Sequence, residues 1–234
     1  MVTGADRGLG LGLTRALLDR GFLVFAGEFG IDPIGLDETA QVYGPRLQRI
    51  SLDVGNDASV LRAADRVRQG CASLDLLINN AGILGDFTAT LNEPLDFEQM
   101  QAVYNVNALG PLRVAQALFE HLRRGPTKKL VNISSEAGSM QQSARIDRKA
   151  RYGYCMSKAA LNVQTVILAN HAREHGIEVY LMDPGWMRTY MHGEKNSNAA
   201  MEPEEAANHI LSTVLDRSHP PYLYMTHDGH PFDW

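Results

Sequence analysis

The sequence predicts an α/β fold, a single-domain Rossmann-type doubly wound parallel sheet of about seven strands with helices on both faces. Three observations carry this expectation. Short apolar runs of strand character alternate with amphipathic helical runs along the whole chain. A glycine-rich turn, TGADRGLG at 3–10, stands between the first strand and the first helix. Polar or glycine-rich residues recur at the carboxyl ends of the apolar runs, the edge at which sheets of this kind bind ligands.

Each element follows from its residues. Residues 3–10 leave a short first strand and open the helix LGLTRALLDRG, which stops at Gly21 and turns into the apolar strand Phe22 to Ala26. RLQRISLDV alternates and ends at Asp53; NDASVLRAADRVRQG then supplies an Asn cap, helical apolar spacing and a closing glycine. LDLLINNAG is a buried strand ending in turn residues. FEQMQAVYNVNALGPLRVAQALFEHLRR is a long helix in which Pro111 imposes a bend. KKLVNISS is an apolar strand, and RYGYCMSKAALNVQTVILANHAREHG a long helix stopped by Gly176. IEVYLMDPG is a strand, EPEEAANHILSTVLD a helix with Pro203 in its first turn, and PYLYMT a last short strand. Right-handed crossovers then stack helices on both faces of a parallel sheet. With no repeat or linker in sight, residues 1–234 read as one dinucleotide-binding domain.

Composition narrows the function. A net charge of −5 and no basic run beyond a pair such as Lys128-Lys129 argue against nucleic acid and anionic membrane as partners. Two cysteines, Cys71 and Cys155, without metal-type spacing point to a reducing, cytoplasmic setting rather than a disulfide scaffold. No signal-type leader or apolar run long enough to span a bilayer is present. Almost nothing precedes Thr3, so the first strand is expected to be short of sheet hydrogen bonds, as if the assigned start lay too far downstream.

The glycine turn offers a dinucleotide site. Gly4, Gly8 and Gly10 let the backbone turn tightly and approach a pyrophosphate, and Gly8, Leu9 and Gly10 open a helix whose free N–H groups favour an anion. Arg7 in the same turn can reach a phosphate. Glu28 ends the second strand, where a carboxylate can accept from an adenosine ribose and would repel a 2′-phosphate. The next residue is Phe29, not an arginine. These residues predict NAD(H), with NADP(H) disfavoured. Asp53, ending the third strand, is a contact for the adenine edge or simply a helix-approach aspartate.

Tyr154 and Lys158 are four apart in a helical run and share a face, whereas Tyr152 pairs with Met156. A phenol titrates near 10, and a neighbouring ammonium draws that value toward the working range. Taken alone, such a pair is more often surface decoration.

The glycine turn, NNAG at 79–82, NVNALG at 105–110, VNISS at 131–135, Tyr154-xxx-Lys158 and PGWMRT at 184–189 occur in one order. Together they resemble the short-chain dehydrogenase/reductase family over nearly the whole chain. The PGWMRT segment and the ending THDGHPFDW are most similar to its C-factor- and sniffer-like carbonyl reductase subgroup. The resemblance implies an oxidoreductase moving a hydride between a nicotinamide cofactor and a small-molecule carbonyl or alcohol. It implies Tyr154 as general acid/base, Lys158 as its partner and a ribose contact, Ser135 as the residue holding the carbonyl, and Asn107 as support for a water relay. It further implies cofactor contacts from Asn79, Ala81, Gly82, Pro184, Gly185 and Thr189, and a homodimer or homotetramer built on the helices around 98–122 and 152–172. The stretch from Ser135 to Tyr154 is longer than in most of the family, so MQQSARIDRKARYG must loop out, with Ser139 and Ser143 as alternatives to Ser135. The other reading is a dinucleotide-binding sensor with the same fold and little turnover. A Rossmann-like methyltransferase would leave Tyr154 and Lys158 unused.

Other signals are read blandly. His171 and His175 lie at i,i+4, but with no third ligand evident they are expected on a solvated helix face, as are His227 and His230, and no metal site is predicted. MDPGWMRTYMHGEKNSN, with Met187, Tyr190 and Met191, has the mixed character of a lid over an apolar substrate.

Overall fold

The computed structural model describes residues 1–30, 32, 34–189, 191, 196–216 and 223–234. Its strands are β1 (Val2–Thr3), β2 (Val24–Glu28), β3 (Leu47–Ser51), β4 (Leu76–Asn79), β5 (Lys129–Ile133), β6 (Glu178–Asp183) and β7 (Tyr224–Thr226). Its helices are α1 (Gly8–Asp19), α2 (Ile34–Tyr43), α3 (Asp57–Gly70), α4 (Phe97–Tyr104), α5 (Gly110–Arg123), α6 (Met140–Arg145), α7 (Tyr152–Arg173) and α8 (Pro203–Leu215). The seven strands form one sheet in the order β3-β2-β1-β4-β5-β6-β7, every pairing parallel. The order reverses between β1 and β4, and that switch point is where a ligand crevice opens beyond the strand ends.

Alternation along the strands feeds two apolar layers. Leu76, Ile78, Val131 and Met182 face α1 and α8, while Leu77, Leu130 and Val179 face α3, α5 and α7. The short β1 is held better than its length suggests. The backbone of Met1 bonds twice to the adjacent edge of β4, from N to Leu76 O at 2.7 Å and from O to Ile78 N at 2.9 Å, and Ala5 N donates to Gly27 O at 2.9 Å. β2 begins at Val24, not Phe22, because the N–H groups of Gly21 and Phe22 are still bonded to Leu18 O and Leu17 O at the end of α1.

Three elements depart from the sequence expectation. α2 had no assignment. The long helix does not simply bend at Pro111: it widens into a π-turn over Asn105–Leu109, and Pro111 sits in the first turn of α5. A proline without an N–H leaves an upstream carbonyl unpaired, which makes the wider turn cheap there. The expected loop after Ser139 contains α6, which Ser139 caps through a 3.0 Å bond from Gln142 N. The start of the last expected strand (221 and 222) and part of the expected lid (190 and 192–195) lie outside the described residues.

Candidate active site

The carboxyl ends of six strands line one cleft of about 1860 Å³, through Gly4, Phe29, Asp53, Asn80, Ser135 and Pro184 among others. Pockets for single drug-sized ligands run to about 1000 Å³, so this one has room for an extended dinucleotide with a substrate beside it.

At its floor lies the glycine turn. Gly4 and Gly8 take left-handed φ values of 62° and 53°. A Cβ on Gly10 would stand 1.9 Å from Gly4 O, so this glycine serves the close approach of the turn to its own helix. A Cβ on Gly8 would meet only Thr189, at 3.6 Å, and Gly8 and Leu9 border the cleft. The N-cap Arg7 makes no side-chain cap, so the first-turn N–H groups of α1 face the cleft without a side-chain acceptor among the described residues. That is the local structure a pyrophosphate requires. Arg7, Asp53, Ala81, Gly82, Gly185 and Thr189 also border the cleft.

The reacting end is built by α7, the end of β5 and the π-turn. Tyr154 and Lys158 point from one face of α7 into the cleft, both nearly fully buried, with the ammonium 5.8 Å from the phenol ring centroid. Lys158 Nζ donates to Ile133 O at 2.8 Å, which fixes one of its three donors and leaves two for the cleft. The Ser135 side chain lies near enough to the Tyr154 hydroxyl to act on its ionisation. Ser135 is itself held: its Oγ accepts from Ala137 N at 3.2 Å and its carbonyl from Tyr224 Oη at 2.8 Å. Ser139, which caps α6, and Ser143, within it, do not border the cleft, whereas Ser135 does. Asn107, on the π-turn, bonds both backbone groups of Ile83 at 2.8 Å and Ser157 Oγ at 3.0 Å. Gly82 lets this network stand beside the lysine, since a Cβ there would lie 3.2 Å from Asn107 Oδ1 and 3.8 Å from Lys158 Nζ. Tyr152 lines a separate small cavity with Met100 and Val103 and acts as packing.

Burial dominates the electrostatics. It pushes the Tyr154 phenol up to about 12, with Ser135 opposing. The expected depression by Lys158 is therefore absent in the free protein: at this separation the ammonium does not offset the loss of water. Burial also brings Lys158 down to about 8, with Asp183 opposing. Asp183 is pushed up to about 6, again by burial, although it accepts from Glu136 N at 2.9 Å.

Two expected cofactor contacts are placed elsewhere. Glu28 does not border the cleft; its carboxylate is taken by the Arg49 guanidinium in a two-pronged pair at 2.9 and 2.7 Å. Asn79 is buried inside the sheet, donating to Asn132 Oδ1 at 2.9 Å and Pro111 O at 3.3 Å, because the side chain of the last strand residue points into the layer under α5. Its neighbour Asn80 borders the cleft instead and ties Thr3 O and Gly4 O at 3.0 and 3.1 Å. Sequence reasoning also passed over Asp6, whose carboxylate accepts from Phe29 N and Gly30 N at 3.2 and 3.1 Å at the edge of the cleft. An acid inside the glycine turn, and another directly before Pro184-Gly185, were the available signals for Asp6 and Asp183.

A profile described as short chain dehydrogenase matches residues 1–200. The C-signal protein of Myxococcus xanthus is 35% identical over 161 residues, covering 69% of this chain and 89% of that one. A crystal structure of NADPH-bound carbonyl reductase from chicken fatty liver superposes with a TM-score of 0.87 at 32% identity, over 100% of this chain and 97% of that one. Carbonyl reductase Sniffer of D. melanogaster shares the fold with a TM-score of 0.87 at 24% identity, over 99% and 97% of the two chains.

Proposed function

This chain belongs to the short-chain dehydrogenase family, and we propose that it transfers a hydride between NAD(H) and a carbonyl or alcohol substrate with Tyr154 as general acid/base. The observation carrying this reading is the meeting of Tyr154, Ser135 and Lys158 at the end of a cleft whose other end is an uncapped glycine-turn helix. Gly8, Leu9, Ala81, Gly82, Pro184, Gly185 and Thr189 are the residues that would hold the dinucleotide, which supplies or accepts the hydride when bound.

The chain's own part is orientation and proton transfer. Ser135 would hold the substrate oxygen next to the phenol. A phenol raised to about 12 is protonated at neutral pH, so this form is ready to donate to a carbonyl oxygen. The Lys158 ammonium, beside the ring, would stabilise the phenolate left behind. Asn107 positions Ile83 and Ser157 around that lysine rather than touching the reacting atoms.

The preference for NAD(H) rests on Asp6, not Glu28. Its carboxylate already occupies the N–H groups at the end of β2, where it would accept from a ribose hydroxyl and repel a 2′-phosphate. Arg7 pulls the other way, so the preference is one of degree. The substrate side has an apolar wall of Leu84, Phe87, Trp186, Met187 and Phe232, suited to an apolar ketone or aldehyde. Exposed Leu112 on α5 with Val163 and Ile167 on α7 support a homodimer or homotetramer through these helices. The two free thiols suit a cytoplasmic setting.

The test is NADH and NADPH consumption against aldehydes, diketones and cyclic ketones, wild type beside Tyr154→Phe. Turnover abolished in the variant with NADH binding retained is the expected result. NADH binding without turnover of any carbonyl by either protein would favour the sensor reading, and tighter binding of NADPH than NADH would overturn the cofactor preference.

A further inference from the structure

We propose that His171, Glu174 and His175, at the C-terminal end of α7, form a binding site for a divalent transition metal ion of the zinc type. One donor atom from each of the three residues lies within 4.8 Å of the other two. The carboxylate is the third ligand that the histidine spacing alone does not reveal. Two imidazoles and one carboxylate are a donor set that zinc takes in tetrahedral sites, with the fourth position open to water or to a donor from another molecule.

The geometry is prepared by the helix. Residues at i, i+3 and i+4 share one face, so the three side chains project from adjacent turns. Bonds from Glu174 N to His171 O and from His175 N to Ala172 O close the last turn, so the ligands do not ride on a frayed end. Phe119 of α5 packs against both imidazoles, with ring centroids 5.2 and 5.3 Å away, and the two imidazoles are 5.1 Å apart. These contacts restrict both rings to one side of the helix. The site sits at the negative end of the α7 dipole, which favours a cation. Glu120 of α5 lies nearby, but its carboxylate is held by Arg123 and also feels Arg124, so the ligands themselves carry the site. Tyr154 lies 17 residues earlier on the same helix, about 25 Å away, so this site is separate from the cleft and does not depend on the proposed reaction.

The experiment is calorimetric titration of the full chain with zinc chloride, paired with cobalt(II) spectroscopy. Expected are one-to-one binding and weakening by about tenfold or more in His171→Ala and in His175→Ala, at least what loss of an outer-sphere partner costs. Glu174→Gln should weaken binding while keeping the side chain's shape. Cobalt should give visible bands of a nitrogen/oxygen site without thiolate charge transfer. The side chains are surface ones, so the variants should keep wild-type circular dichroism, and a variant that loses it is replaced by His175→Gln. No one-to-one event, unchanged affinity in the double histidine variant, or a thiolate band placing the metal on Cys71 or Cys155 would each overturn the proposal.

Discussion

Asn107 Nδ2 donates to Ser157 Oγ at 3.0 Å, and that hydroxyl in turn donates to Tyr154 O at 2.7 Å. The π-turn is thus tied to the helix that carries the phenol. Asn107→Ala would remove the partner of both backbone groups of Ile83 and one of the two bonds of Ser157 Oγ, which keeps its bond to Tyr154 O. A loss of about 1–3 kcal/mol is expected for groups left unsatisfied in a buried site, read as a lower urea midpoint. Turnover should fall further than stability, because the lysine's surroundings move with it. A variant with wild-type stability would show that the network is not structural.

Asp183 makes stability depend on pH. Its folded value of about 6 lies above the usual 3.8, so between those two pH values the folded chain holds a proton that the unfolded chain has lost. Asp183 taken alone lowers stability, by on the order of 3 kcal/mol, as pH rises through that window, while the buried Met1 amine, brought from 8.0 down to about 5, raises it between those two values. Lys158 works in the opposite sense higher up. Its value drops from 10.5 to about 8, so the unfolded chain binds more protons there and stability rises again between them. Denaturant unfolding from pH 4 to 10 reads both limbs. Asp183→Asn, which keeps an acceptor for Glu136 N, should remove the falling limb and, because the aspartate's charge supports the Lys158 ammonium, extend the rising one; a falling limb that persists in this variant would contradict the assignment.

The sheet and the cleft were legible because both follow from period and position. Alternation in strands such as LDLLINN fixes which side chains enter the core, and strand ends on a parallel sheet fix where polar residues collect. What was illegible depended on neighbours distant in sequence. Nothing local in Glu28 says that Arg49 will reach it across β3, and nothing in HAREH says that Glu174 will turn toward the histidines. The π-turn was hidden for another reason: Pro111 announces a break in the helix but not its form, and the bonds from Asn107 to Ile83 that accompany the wider turn come from a segment 24 residues away. The phenol's acidity was misjudged because helical spacing shows proximity to a lysine but not the depth of burial.

The two glycines of the turn should respond differently to alanine. Gly10→Ala places a Cβ 1.9 Å from Gly4 O and 2.6 Å from Asn80 Nδ2, so backbone must move and the chain is expected not to fold. Gly8→Ala has space but a φ of 53°, a strain of about 1–2 kcal/mol. It should fold, melt several degrees lower and bind NADH weakly. Expression with circular dichroism separates the two; a well-folded Gly10→Ala protein would refute the packing argument.

Cofactor choice should follow Asp6 and ignore Glu28. Asp6→Asn is expected to raise the NADPH-to-NADH ratio of kcat/KM by about tenfold or more, the effect of about 1.4 kcal/mol. Glu28→Gln should leave that ratio near wild type while loosening Arg49. The reverse pattern would return the ribose contact to Glu28.

Tyr224 grips the carbonyl of Ser135 from 89 residues downstream, and Trp234 O holds Gln141 N in the same region. A ribosome adding about 5–20 residues per second therefore leaves the serine's loop without this anchor for roughly 4–18 s after it is made. Six of the seven strands will have been synthesised by then. The backbone that presents Ser135 is thus tied down only once β7 has left the ribosome.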